Sequence, residues 1–264
     1  MFLTKEDQAL SEEYINNGYL IRPVANKDVL DWIQSKIVEL SKDTLGITSK
    51  KDSMSWLNQI HEHVSVSQLN DFRLKMIGGI NAIPEFRKKY FQVARPYLES
   101  LVGNELAMQL RINLSIQFPY DDSSLLPVHA DTWSGDSPFE VVVWIPLVDC
   151  YSTKTMFLLP PEKNKKLNQN FLLNVGENSE TLFQGIESEV IWLELKYGEV
   201  LVFDQGLPHG NRVNTVTETR WSMNCRFKGL FTPYGDKKIG EFFEPITLRA
   251  ASIKGMNYQH PEFK

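Results

Sequence analysis

From Met108 to Phe118 the chain alternates strictly. Leu110, Ile112, Leu114, Ile116 and Phe118 stand against Gln109, Arg111, Asn113, Ser115 and Gln117. Successive side chains of a strand point to opposite faces, so this run predicts one strand with an apolar face and a polar face. The period before it is different. Between Lys27 and Lys42, Val29, Leu30, Ile33, Ile37, Val38 and Leu40 gather near one helical face, with Asn26 as N-cap. Pro84 to Val102 repeats the pattern with Phe86, Tyr90, Phe91, Ala94, Tyr97 and Leu98, and Gly103 is the expected stop. These aromatics read as core. Gly18 to Val24 reads as a short opening strand.

After the alternating run, further strands are expected at 139–147, 189–195, 199–204, 210–214 and 220–228, separated by Gly, Pro and Asn turns. Helices followed by many short strands predict a mainly β fold with helical cover. The expected form is a double-stranded β-helix, the cupin-like jelly roll, preceded by N-terminal helices. The chain is read as one unit over 1–264. Residues 1–105 form its mostly helical part, 106–230 the jelly-roll core and 231–264 a C-terminal extension. The polar stretch 160–188, rich in Asn and carrying Lys163, Lys165 and Lys166, reads as a long loop inserted in the core. It is either a lid or a solvated insertion.

At 264 residues, 42% hydrophobic and 23% charged, the chain can bury a sizeable core. A net charge of -5 gives no basic footprint for nucleic acid and no attraction to an anionic membrane. The longest apolar run, Val141 to Val148, is broken by Pro146 and is strand-sized. Cys150 and Cys225 match no metal-binding spacing and form no disulfide framework. With no signal-like start, the expectation is a cytoplasmic protein acting on a small molecule. Oligomeric state is undecided, and a homodimer stays open.

The polar residues of interest begin with His129-Ala130-Asp131. In extended chain, residues two apart share a side, so both can reach one ion. His209 follows from a later strand, and Arg220-Trp221-Ser222 begins eleven residues after it. Two imidazoles and a carboxylate can hold one face of iron(II) and leave the other open. A guanidinium presents two parallel donors to a carboxylate, and Ser222 shares its face, so Arg220 and Ser222 are candidates to hold an organic co-substrate. The plainer reading is two hydrogen-bonded histidines in loops and an ordinary strand-edge arginine. It leaves the spacing as coincidence. His61-Glu62-His63 is a weaker metal candidate without strand context, and His260 lies in a polar tail.

With these residues the chain resembles the iron(II)/2-oxoglutarate oxygenases of the phytanoyl-CoA dioxygenase type. The matching positions are His129-Ala130-Asp131, Trp144 in Val-Val-Val-Trp-Ile-Pro-Leu, His209-Gly210-Asn211 and Arg220. The opening Gly18-Tyr19-Leu20-Ile21 before a helix also matches. Through Pro127–Asp131 and Gly135–Glu140 it is similar to StrG-like oxygenases of bacterial carbohydrate gene clusters. The resemblance implies iron(II), 2-oxoglutarate as co-substrate and dioxygen, with His129, Asp131 and His209 as metal ligands. It implies Asn211, Gln109 and Asn113 as further contacts to 2-oxoglutarate, and Arg111 as a contact to substrate. Gln117, on the polar strand face, and Trp133, two residues past Asp131, are the other substrate candidates. The implied reaction is oxidation, in the first place hydroxylation, of a C–H bond with release of succinate and carbon dioxide. The implied substrate is a sugar, aminocyclitol or nucleotide-linked sugar. Two alternatives remain: a barrel that binds metal or a small molecule without catalysis, and a zinc hydrolase with the same ligands.

Overall fold

The computed structural model describes residues 2–169 and 178–262. Five helices come first: α1 (Lys5–Asn17), α2 (Lys27–Leu45), α3 (Ser53–Asn58), α4 (Val66–Ala82) and α5 (Phe86–Leu101), with β1 (Tyr19–Pro23) after α1. Their ends carry the expected chemistry. The Asn26 side chain accepts from the Val29 N–H and caps α2. Gly18 ends α1 at φ 79°, and a Cβ there would meet the Leu207 side chain at 2.1 Å. Left-handed geometry and close packing together demand glycine.

The strands that follow are β2 (Leu106–Gln109), β3 (Asn113–Gln117), β4 (Glu140–Pro146), β5 (Met156–Leu158), β6 (Ile191–Leu193), β7 (Glu199–Asp204), β8 (His209–Gly210), β9 (Arg220–Gly229) and β10 (Phe243–Pro245). The larger sheet runs β1-β7-β4-β9-β2-β10, with β3 also paired to β9. Its pairings are antiparallel. The smaller sheet runs β6-β5-β8. An antiparallel bridge from His129 to His209 extends it by one more chain segment. Two antiparallel sheets facing each other make the double-stranded β-helix.

Each residue of β4 is buried, because one face meets the helices and the other faces the second sheet. That explains why the run Val141–Val148 is apolar throughout apart from Pro146. The helical layer is pinned by polar groups as well as by burial. The Tyr90 hydroxyl donates to the carbonyls of Val143 at 2.9 Å and Met223 at 3.2 Å. The indole N–H of Trp221 donates to Leu57 O at 2.8 Å. Each bond satisfies a group that burial would otherwise leave costly.

Three expectations need correction. The single strand expected at 108–118 is two, β2 and β3. Met108 sits opposite Phe227 and Asn113 opposite Asn224, so four residues face two and the chain bulges. The bulge is held by side chains: Asn81 accepts from Ile112 N–H at 2.8 Å and donates to Ile112 O at 2.9 Å. Arg87 Nη2 donates to Gln109 O at 2.9 Å. Alternation alone does not register such a slip, because it preserves the apolar positions. An Asn81→Ala variant should therefore lose about 2 kcal/mol of stability in urea unfolding, from the two unmet backbone groups.

The stretch 160–188 is not a long loop. It contains α6 (Pro161–Gln169) and α7 (Ser179–Ile186), while 170–177 lie outside the described residues. Asn178 caps α7, and Phe183 packs on Phe157 with ring centroids 4.9 Å apart. α6 is almost wholly polar, and α7, with Leu182, Phe183 and Ile186, is only eight residues long, so the polar composition of the stretch hid both. Finally, the strand expected at 210–214 is only His209–Gly210, and the extension at 231–264 includes β10, whose Phe243 is fully buried. A short helix, α8 (Ala250–Met256), follows β10. Among the described residues no helix is long and apolar enough to cross a membrane.

Candidate metal and co-substrate site

The bridge between the smaller sheet and the segment before Asp131 decides the site. His129 N–H donates to His209 O at 3.0 Å and His209 N–H to His129 O at 2.8 Å. A directly bonded antiparallel pair brings its side chains together, and the two imidazole centroids lie 4.3 Å apart. Close approach here needs Gly210. A Cβ at that position would meet Leu126 O at 2.7 Å and the Phe157 ring at 3.0 Å. Asp131 opens a short 3-10 turn, Asp131–Ser134, that swings its carboxylate toward both rings.

One ligand atom from each of His129, Asp131 and His209 lies within 4.8 Å of the others. Both histidines have their Nδ1 2.8 Å from a backbone carbonyl, Pro127 O for His129 and Leu207 O for His209. A carbonyl only accepts, so Nδ1 carries the proton and Nε2 keeps a free lone pair for a metal. His129 Nε2 is 3.5 Å from Asp131 Oδ1. Burial pushes His209 down to about 4, so it stays a neutral ligand at neutral pH. Burial also pulls His129 down, but its hydrogen bonds to Asp131 and to Pro127 O outweigh that and raise it. Burial pushes Asp131 up, yet His129, Arg226 and His209 together hold it well below the usual carboxylate range. A divalent ion requires neutral imidazoles and an ionised carboxylate; His209 and Asp131 are already in that state, whereas His129, on binding a metal, must give up the proton that Asp131 favours.

The residues fit the co-substrate too. Arg220 is fully buried, donates to Thr155 O and Ser115 Oγ at 2.9 Å each, and has no partner for its Nε among the described residues. No carboxylate among them pairs with it, and burial lowers it to about 10. The hydroxyl of Ser222 is likewise buried without a partner among the described residues. A buried guanidinium and hydroxyl left unmet on one strand face make a receptor for an anion. Both line the same cavity as the three metal-binding candidates, a space of about 580 Å³.

Of the other expected contacts, the cavity is lined by Asn113 and Asn211 but not by Gln109, Arg111, Gln117 or Trp133. Asn113 donates to Asn224 Oδ1 at 2.9 Å. Asn211 is committed to the neighbouring loop, accepting from Leu126 N–H at 2.6 Å. The bulge accounts for Gln109 and Arg111. It leaves Gln109 accepting from the Arg226 N–H at 3.2 Å and turns Arg111 out to solvent. Gln117 donates to Arg212 O at 2.6 Å, and Trp133 stands 39% exposed on the turn. Lys163 pairs with Glu189 at 2.6 Å, away from the cavity. His61 lies 2.8 Å from the Thr219 hydroxyl and joins no metal-binding group among the described residues.

Sequence reasoning missed two residues that period two on β9 could have exposed: Asn224 and Arg226 continue the face of Arg220 and Ser222. Arg226 Nη2 donates to Asp131 Oδ2 at 2.7 Å, and its Nε donates to Gln205 Oε1 at 2.9 Å. Gln205 in turn donates to Glu140 Oε2 at 2.8 Å. This chain fixes the Asp131 carboxylate with Oδ2 engaged and Oδ1 turned toward His129. An Arg226→Met variant should bind Co(II) roughly tenfold more weakly by calorimetry, since loss of an outer partner costs about 10–100-fold in metal affinity.

No family model matches the chain, and no curated protein matches it by sequence. Solved structures do match in fold. ThoJ, a non-heme monooxygenase in complex with nickel, superposes with a TM-score of 0.58 at 14% identity, over 92% of this chain and 85% of its own. EctD from S. alaskensis, with 2-oxoglutarate and 5-hydroxyectoine, gives 0.57 at 15%, over 88% and 78%. HygX from Streptomyces hygroscopicus, with nickel and 2-oxoglutarate bound, gives 0.52 at 12%, over 88% and 89%. At such identities the likeness is one of fold, the double-stranded β-helix.

Proposed function

We propose that this chain is an iron(II)- and 2-oxoglutarate-dependent oxygenase that oxidises a C–H bond of a polar small molecule. The observation that carries the reading is Arg220: a fully buried guanidinium with no carboxylate partner among the described residues, in one cavity with a His-Asp-His cluster. Iron held there supplies dioxygen activation coupled to the oxidative decarboxylation of 2-oxoglutarate to succinate and carbon dioxide. His129, Asp131 and His209 would hold the metal. Arg220 and Ser222 would take the far carboxylate of 2-oxoglutarate, and Asn113 and Asn211 stand within the same lining. The chain's own work is to bind, orient and keep the reacting groups dry. The fold neighbours named above, two with nickel and two with 2-oxoglutarate bound, support the reading.

A zinc hydrolase with the same ligands leaves the buried Arg220 without purpose, so it ranks second. Sugars and nucleotide-linked sugars fit a cavity bordered by amides and hydroxyls, and this substrate class belongs to the proposal, as does membership of the phytanoyl-CoA dioxygenase or StrG-like type. Two buried, unpaired thiols, both pushed up to about 12 by burial, suit a reducing compartment such as the cytoplasm. The test is direct. Protein purified without air and given iron(II) should convert 2-oxoglutarate to succinate slowly under air, and nickel-loaded protein should bind 2-oxoglutarate by calorimetry. Absence of 2-oxoglutarate binding to metal-loaded protein would refute the proposal.

A further inference from the structure

Charge in the cavity is one-sided. Its lining includes three guanidinium groups, Arg73, Arg220 and Arg226, and one carboxylate, Asp131. Asp131 is already engaged by Arg226 at 2.7 Å. With a divalent ion and a dianionic 2-oxoglutarate seated as proposed, the site remains cationic before Arg73 is counted, and Arg73 adds to it.

Arg73 comes from a different element than the other two. Asn81 bonds to Ile112 at one end of α4, and Phe72 meets Trp221 edge-on at 6.2 Å further back. Trp221 is registered against Ile116. Thus α4 runs against β3 and carries Arg73 to the end of β3 from which the loop holding Ser123 and Ser124 departs. Arg73 donates to Asn70 Oδ1 at 2.8 Å, and no carboxylate pairs with it among the described residues. The Ser124 hydroxyl lines the same cavity, buried and without a partner among the described residues.

We infer that the substrate carries an oxyanion, a phosphate or a carboxylate, received by Arg73 with help from the Ser124 hydroxyl; the neighbouring Ser123 hydroxyl is committed to Asp121 Oδ2 at 2.6 Å. The inference rests on the oxygenase reading of the same cavity. It selects phosphorylated or acidic sugars over aminocyclitols and other protonated amines, because among the described residues the cavity lining offers no carboxylate besides Asp131, and the nearby Asp121 already accepts from Ser123. A guanidinium offers a fork that fits either oxyanion, so the group itself is decided by the choice of probe.

The experiment uses full-length protein loaded with nickel and 2-oxoglutarate, whose uptake is first measured by calorimetry. Glucose 6-phosphate, glucuronate, glucose and glucosamine are then titrated in turn. At least one of the two anionic sugars should bind ten or more times tighter than glucose, and glucosamine should bind no tighter than glucose. Arg73→Met should erase that preference, whereas Arg73→Lys should keep most of it; 2-oxoglutarate affinity should be the same in all three proteins. Failure of 2-oxoglutarate to bind would strike the oxygenase reading itself. With 2-oxoglutarate bound, four results would overturn the inference alone: no anionic preference, a preference that survives Arg73→Met, glucosamine binding tighter than glucose, or 2-oxoglutarate affinity falling with Arg73.

Discussion

Replacing Asp131 by Ala or Asn should abolish metal binding, with Co(II) affinity falling at least about 100-fold and no succinate formed. Asp131 is the one anionic member of the His129-Asp131-His209 group, so without it two neutral imidazoles must hold a dication. The two variants separate function from folding. Asp131 and Arg226 form an ion pair whose side chains are 10% and 14% exposed. Truncation to Ala strands the guanidinium, and breaking a buried pair in this way costs about 3–5 kcal/mol. Asp136, 3.6 Å from Arg226 Nε, softens that loss, so the lower part of the range is expected. Asp131→Asn keeps the shape and an oxygen for Arg226, and should fold with a smaller loss while still failing to take metal. Calorimetry for metal and urea unfolding for stability check the two halves separately. Retained Co(II) affinity in Asp131→Asn would remove Asp131 from the ligand set.

Arg220→Met should abolish 2-oxoglutarate binding and yet leave the ligand-free protein as stable as the parent or more so. A buried charge without a counter-ion destabilises the fold that holds it, and a shape-matched apolar side chain relieves that cost. Against this stands the loss of its bonds to Thr155 and Ser115, each about 1 kcal/mol. The loss of affinity should be on the order of 100-fold or more, because two charge-assisted hydrogen bonds disappear together. Arg220→Lys keeps the charge without the fork and should fall between. Thermal unfolding reads this out: 2-oxoglutarate at 100 times the parent's Kd should stabilise the metal-loaded parent by about 2.7 kcal/mol and Arg220→Met by no more than about 0.4 kcal/mol. Equal stabilisation of both proteins would show that the co-substrate carboxylate goes elsewhere.

How much of this was legible before the fold is best seen at particular residues. His129, Asp131, His209 and Arg220 could be named because a His-x-Asp triplet followed by a distant His and an Arg eleven residues later is a combination that chance seldom supplies. Val141–Val148 announced a buried strand. Arg111 and Gln109 were misplaced for one physical reason: a bulge of two extra residues conserves the alternation of apolar residues while shifting the polar face against its neighbour. The helices α6 and α7 were hidden because both are short and α6 is polar along its length. Arg73 left no trace, since nothing in a helical pattern says that one of its residues will reach round an edge strand into a cavity.

The sequence by itself determined the layout, helices first and a two-sheet barrel after, because side-chain period is a local property of the chain. It also determined the chemical kinds of the site: two imidazoles, a carboxylate, an arginine. Only the tertiary structure decided that His129 and His209 are bonded neighbours, that Asp131 is anchored by Arg226, and that Arg220 lies buried with an unmet donor. Those facts depend on which distant strands pair and in what register, and register is set by long-range packing and by clips such as Asn81 on Ile112.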